Sequence, residues 1–242
     1  MLARVPSVRI IGAGRAGRSL AGALSAVGWT VAPLLGRADD PAGAAVGVDV
    51  LVVATPDAAI AEVAVAVRPV GTTVVVHLSG ALGTEALGPH PRRGCLHPLV
   101  PLPDAATGSA RLRSGVTFAV AGDPMAAELA GVLGGRAVEV PDAARGLYHA
   151  AATVAANHLV ATLGQVARLA GGAGLELADF LPLARAALDD VARAGPAGAL
   201  TGPVARGDWP TVARHLEALP AGEHAGYLGG VALVLRLTAP GS

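Results

Sequence analysis

The chain of 242 residues contains no lysine, and all eighteen of its basic residues are arginine. That absence excludes Schiff-base chemistry, the lysine of a phosphate loop and any lysine general acid. Carboxamides are almost as scarce, with Asn157 and Gln165 the sole asparagine and glutamine. Cysteine occurs once, at Cys95, so neither an intramolecular disulfide nor a multi-thiolate metal site can form, which fits a reducing, cytoplasmic setting. His90, Cys95 and His97 lack the number and spacing of zinc ligands, and no metal is expected. Aromatic residues make up 2% of the chain and the formal net charge is zero. The sequence therefore offers neither stacking platforms for bases nor a basic face for phosphates, and no nucleic-acid partner is expected. No apolar signal core precedes the first strand, and the longest apolar stretches are broken by Asp49, His149, Asn157 and His158, so no membrane partner is expected either.

What the chain does have is GAGRAG at positions 12 to 17, directly after the apolar run Val8 to Ile11. Gly12 lets the chain leave a strand in a tight turn, Gly14 lets backbone approach a pyrophosphate, and Gly17 lets a helix pack on the strand. Arg15 and Ala16 then open a helix whose first amides face the anion. The amphipathic stretch Arg15 to Val27 and a second apolar run, Thr30 to Leu35, complete a strand, helix, strand unit of the length a dinucleotide site needs. About twenty residues beyond Gly17 stands Arg37, where an acidic residue would receive the ribose of NAD. An arginine suits a 2′-phosphate, so the reading favours NADP, with Asp39 or Asp40 still able to reach a ribose diol.

Further along, Val48 to Thr55 reads as a buried parallel strand reached by a stunted crossover, with Thr55 and Pro56 at its end beside the cofactor. Asp57 is expected to cap a helix running to about Val67. Thr72 to His77 forms the next strand, which places Ser79 and Gly80 at the carboxyl end of the sheet, where open α/β folds bind ligands. Cys95 to Leu99, Thr117 to Ala121 and Arg136 to Val140 read as short strands, and Asp123 and Pro124 open a helix to about Leu133. From Asp142 the pattern turns helical, at roughly 143 to 171, 178 to 194, 209 to 218 and 224 to 237. The expected class is α/β: a Rossmann-type, mostly parallel sheet domain over residues 1–140, then an all-α domain over 141–242.

Chemistry-bearing residues fall in a few segments. His97 lies in a His-Pro pair at a strand end, where an imidazole could protonate a carbonyl being reduced. At 100° per residue, His149, Thr153 and Asn157 share one stripe of the first long helix. Ala151, Ala155 and Ala156 on that helix permit close approach of a second copy, so a homodimer is expected. Ser79 and Gly80 are candidates for contact with the nicotinamide ribose or substrate. Arg206 suits a substrate carboxylate, and Asp208 serves either as a substrate contact or as the N-cap of the helix opening at Trp209.

Four segments join the glycine loop in one pattern: HLSGALG at 77 to 83, LHPL at 96 to 99, YHAAATVAANHL at 148 to 159 and ALTGPVARGD at 199 to 208. Together they resemble the domain-of-unknown-function 2520 family of two-domain Rossmann proteins, similar in plan to ketopantoate reductase, pyrroline-5-carboxylate reductase and 6-phosphogluconate dehydrogenase. The resemblance covers about residues 7 to 230. It implies a nicotinamide-binding domain, an all-helical dimerising domain and a cleft between them. The function so implied is an NADP-dependent oxidoreductase reducing a small, anionic carbonyl or imine of 2-keto acid type. A non-catalytic dinucleotide sensor and a deazaflavin-linked NADP oxidoreductase are the alternatives. Ketopantoate reductases carry a lysine four residues before an asparagine on the interdomain helix; here Thr153 precedes Asn157. The proton donor then falls to histidine, His97 ahead of His149, with Asn157 beside it.

Overall fold

Valine-rich runs with no polar face build the centre of a seven-stranded sheet in the computed structural model, which describes residues 5–239. The strands are β1 (Ser7–Ile11), β2 (Thr30–Val31), β3 (Val50–Val53), β4 (Val74–His77), β5 (Arg93–Pro98), β6 (Thr117–Gly122) and β7 (Arg136–Glu139). Their order is β2-β1-β3-β4-β5-β6-β7. Strands β1 to β5 run parallel, β6 is antiparallel to β5, and β7 is parallel to β6. The fold is thus the expected α/β class, a mostly parallel Rossmann-type sheet followed by helices.

Side chains alternate across the sheet, and both faces are covered. Val8, Ile10, Val50, Val52, Val74 and Val76 pack with Leu20 and Leu24 of α1 (Arg15–Ala26), Leu112 of α3 (Ala105–Leu112) and Leu129 of α4 (Met125–Val132). The opposite face sets Ile11, Leu51, Val53 and Val75 against Ile60 and Ala64 of α2 (Asp57–Ala66). Each such aliphatic side chain contributes about 1.5–3 kcal/mol by leaving water.

Local chemistry corrects several expectations. The second strand stops at Val31 rather than Leu35, because Pro33 has no amide to donate; only an isolated bridge pairs Leu35 with Ile11. Helix α3 was not anticipated. Its Asp104 cap accepts the Thr107 amide at 2.8 Å, but Gly108 at its centre lowers helix propensity and hid it. The structure explains that glycine: a Cβ there would lie 2.0 Å from the Ser19 Oγ of α1. Asp57 does not cap α2, because its carboxylate accepts from the Ser79 hydroxyl instead.

The chain divides into two compact units, the first ending at Thr153 and the second beginning at Val154. The first includes α5 (Arg145–Thr153) as well as the sheet. The helix expected over 143 to 171 runs without interruption through a 3-10 turn (Asp142–Ala144), α5, a π turn (Val154–His158) and α6 (Leu159–Gly172). A π turn holds more residues than an α turn, so the 100° spacing that grouped Asn157 with His149 and Thr153 does not hold through it. In the second unit α6 is followed by α7 (Leu177–Gly198), α8 (Trp209–Ala218) and α9 (His224–Thr238). Helix α7 breaks at Gly195, whose φ of 72° is left-handed. Among the described residues of this unit, Ala170 and Val212 are the buried apolar side chains, whereas Val160, Leu183 and Leu233 are 70%, 69% and 65% exposed. No described helix is long and apolar enough to cross a membrane.

Candidate active site

The carboxyl ends of β1, β3, β4 and β5 lie at one edge of the sheet, since these strands are parallel and in register. At the end of β1 the three glycines of the loop do three different things. Gly12 has a φ of 113°, and a Cβ there would press on the Ala54 carbonyl at 2.5 Å. A Cβ on Gly17 would lie 1.9 Å from the Gly12 carbonyl, so only glycine lets α1 start so close to the strand. Gly14 caps α1 without a side-chain bond, and a Cβ there would meet nothing within 4 Å. Open space thus adjoins the first amides of α1, at Arg15 and Ala16, where an anion is favoured. Beside Gly12, at the end of β3, the Thr55 Oγ1 is buried without a hydrogen-bond partner, and the exposed Pro56 follows it.

Arg37 is exposed in the turn after Leu35. Both neighbouring carboxylates are committed to their own loop. Asp39 Oδ2 accepts the Gly36 amide at 2.7 Å, and Asp40 Oδ1 accepts the Ala42 amide at 2.9 Å.

At the end of β4 a buried network holds the turn. His77 Nδ1 accepts the Ser79 amide at 3.2 Å, which leaves the ring proton on Nε2 for the Gly83 carbonyl at 3.0 Å. Burial pushes the His77 pKa down, so the ring is neutral. Cys95 Sγ lies 3.1 Å from the same Nε2, and burial pushes the thiol up to about 12. It is a structural thiol, not a nucleophile. Ser79 Oγ donates to Asp57 Oδ2 at 2.7 Å and accepts the amides of Ala81 and Leu82 at 3.1 Å each. These three bonds occupy the hydroxyl, which therefore anchors the turn.

Gly80 packs against two imidazoles. A Cβ on it would stand 2.8 Å from His149 Cδ2 and 2.9 Å from His97 Nε2. His97, on β5, bonds through Nδ1 to the Tyr148 hydroxyl at 2.7 Å and makes edge contacts with the rings of Tyr148 and His149. Its pKa is pushed down to about 4, first by burial and then by the charges of His149 and Arg145. At neutral pH His97 is therefore an uncharged imidazole and a poor acid. Burial raises the Tyr148 phenol, against which the charge of Arg145 acts. Arg145 is fully buried: Nη1 reaches the Ser79 carbonyl at 3.4 Å and Nε lies 3.6 Å from Asp142 Oδ1, while Nε and Nη2 have no hydrogen-bond partner. Sequence reasoning missed both Tyr148 and Arg145. Tyr148 stood inside the YHAAATVAANHL motif beside His149; nothing in the sequence distinguishes Arg145 from the other seventeen arginines.

The remaining candidates belong to the helical unit. Asn157 is exposed in the π turn. Arg206 is exposed on a 3-10 turn and donates to the Thr201 carbonyl. Asp208 caps α8 by accepting the Thr211 amide at 3.2 Å, and the Thr211 hydroxyl, followed by this amide, holds its carboxyl below the usual range.

The sheet order and the glycine loop at the end of β1 define the class, a Rossmann-type α/β protein with a helical second unit. Residues 115–229 match the model of the family described as "Domain of unknown function (DUF2520)". The match contains the TGPVARGD segment that carried the resemblance. No curated protein matches the sequence. Among solved structures, one similar protein comes from Thermotoga maritima, at 24% identity and a TM-score of 0.72 over 96% of this chain and 98% of that one. A candidate NADP oxidoreductase from Bacteroides fragilis is similar at 20% identity and 0.77, over 97% and 98%. An imine reductase from Aspergillus terreus, solved with NADPH4 and a dibenzazepine, is similar at 17% and 0.64, over 97% and 95%.

Proposed function

We propose that this protein is an NADP-dependent oxidoreductase that reduces a small anionic carbonyl or imine compound of 2-keto acid type. One observation carries the reading: of the three loop glycines, two are closed in by the protein's own backbone, and Gly14 alone faces open space at the start of α1. That is the arrangement a pyrophosphate needs. The buried, unpartnered Thr55 hydroxyl at the same strand edge fits a ligand group there. The solved structures named above support a nicotinamide cofactor, which when bound supplies the hydride. Arg37, exposed in the turn after Leu35, is the group for a 2′-phosphate, beside Asp39 and Asp40, which each accept one amide of their own loop. The dinucleotide belongs to the first unit, which extends past the expected boundary at residue 140 to Thr153, and the helical unit from Val154 serves substrate binding and dimerisation, with Arg206 for a substrate carboxylate. The proton donor lies in the group of His97, Tyr148 and His149 around Gly80.

Titration of NADPH and NADH into the protein tests the cofactor assignment. Charge-assisted hydrogen bonds to a phosphate contribute about 1.5–3 kcal/mol, so NADPH is expected to bind roughly ten- to a hundredfold more tightly. Arg37→Ala should remove the difference. Equal affinities in the wild-type protein would overturn the choice of NADP, and absence of binding by both would overturn the function.

A further inference from the structure

We propose that Tyr148, oriented by His97, is the acid of this site. The inference rests on the oxidoreductase reading and deepens it. Three features of the first unit carry it: the 2.7 Å bond between the phenol oxygen and His97 Nδ1, the packing of His97 Nε2 and His149 against a bare Gly80, and a fully buried Arg145 with two unpartnered nitrogens.

A neutral imidazole carries one proton, and the 2.7 Å bond can be made in two ways. If the phenol donates to a bare Nδ1, the acidic proton of Tyr148 is turned away from any substrate. If Nδ1–H donates to the phenol oxygen, the O–H is free to point outward, and the same Nδ1–H stabilises the phenolate when that proton leaves. The surroundings favour the second arrangement. The charges of Arg145 and His149 on α5 act on this pair, and those of Asp57 on α2 and His77 on β4 act on it less. The guanidinium is buried at no exposed area, with Asp142 Oδ1 3.6 Å from Nε and two nitrogens still without a hydrogen-bond partner, and its charge opposes the burial that raises the Tyr148 phenol. The step balances simply. The C=O or C=N carbon of the substrate gains hydride from a reduced nicotinamide, its oxygen or nitrogen gains the Tyr148 proton, and the phenolate left behind regains a proton from water. His97 is then a positioning residue that acts through Tyr148.

The test needs neither substrate nor cofactor. In protein labelled with 15N-histidine at neutral pH, the Nδ1 of His97, identified by loss of its signals in His97→Gln, should be the protonated, pyrrole-type nitrogen. A bare, pyridine-type Nδ1 overturns the proposal. The chain has two tyrosines, so in a Tyr227→Phe background the ultraviolet titration of phenolate reads Tyr148 alone. Removing a hydrogen bond to the charged form should raise that titration by about one pH unit or more in His97→Phe. Arg145→Met should move it in the same direction, and a midpoint unchanged or lowered in both variants overturns the role of the pair. NADPH binding to the wild type separates the two readings. Binding with a bare Nδ1 defeats the Tyr148 proposal alone, whereas a protonated Nδ1 without binding leaves the pair but defeats the reductase.

Discussion

Glycine is the residue on which the sequence spoke most clearly, and the structure separates the three loop positions by what a methyl group would meet. Gly17→Ala sets a Cβ 1.9 Å from a backbone carbonyl that cannot move without shifting β1, so a large loss of stability is expected in a urea titration. Gly14→Val meets open space, so its unfolding midpoint should match the wild type while NADPH affinity is lost. A destabilised Gly14→Val that still binds NADPH would reverse this division. The glycines were legible because a backbone constraint is local. Tyr148 and Arg145 were not, because their meaning lies in a contact between β5 and α5, some fifty residues apart, and in the burial of a guanidinium that sequence gives no reason to bury.

At the scale of elements, strands were read well where both faces are buried, since an unbroken valine run admits few other readings. Helices were read well where a cap and an apolar stripe coincide, as in α8 behind Asp208. Reading failed where one residue serves a neighbour: Gly108 weakens α3 in isolation but allows α1 to approach it. The helices of the second unit raise a different matter. Val160 on α6, Leu183 on α7 and Leu233 on α9 are exposed in the single chain, which is costly for aliphatic groups unless another copy covers them. Light scattering at micromolar concentration should give twice the chain mass, and the double variant Val160→Glu, Leu233→Glu should give a monomer. A wild-type monomer would remove the homodimer from the proposed function.

Across the whole molecule, buried imidazoles make stability depend on pH. His77, His90 and His97 all have folded pKa values below the 6.5 of a free imidazole, each chiefly through burial. Between those values and 6.5 the unfolded chain holds more protons than the folded one, so stability is complete above about pH 6.5 and falls as pH drops toward 4. For His97, at about 4, the full shift corresponds to at most about 3–4 kcal/mol, less its partial exposure. The urea midpoint should therefore be lower at pH 5 than at pH 7.5, and His97→Phe should flatten that slope. A midpoint independent of pH would mean that these rings are not held neutral. The sequence by itself determined the sheet class, the dinucleotide loop and the exclusion of lysine chemistry and of multi-thiolate sites, because backbone strain, strand burial and composition act over short stretches of chain. Only the tertiary structure decided that Ser79 holds Asp57, that His97 is neutral beside Tyr148 and that Arg145 is buried beneath them, because hydrogen-bond partners and desolvation depend on which distant segments meet.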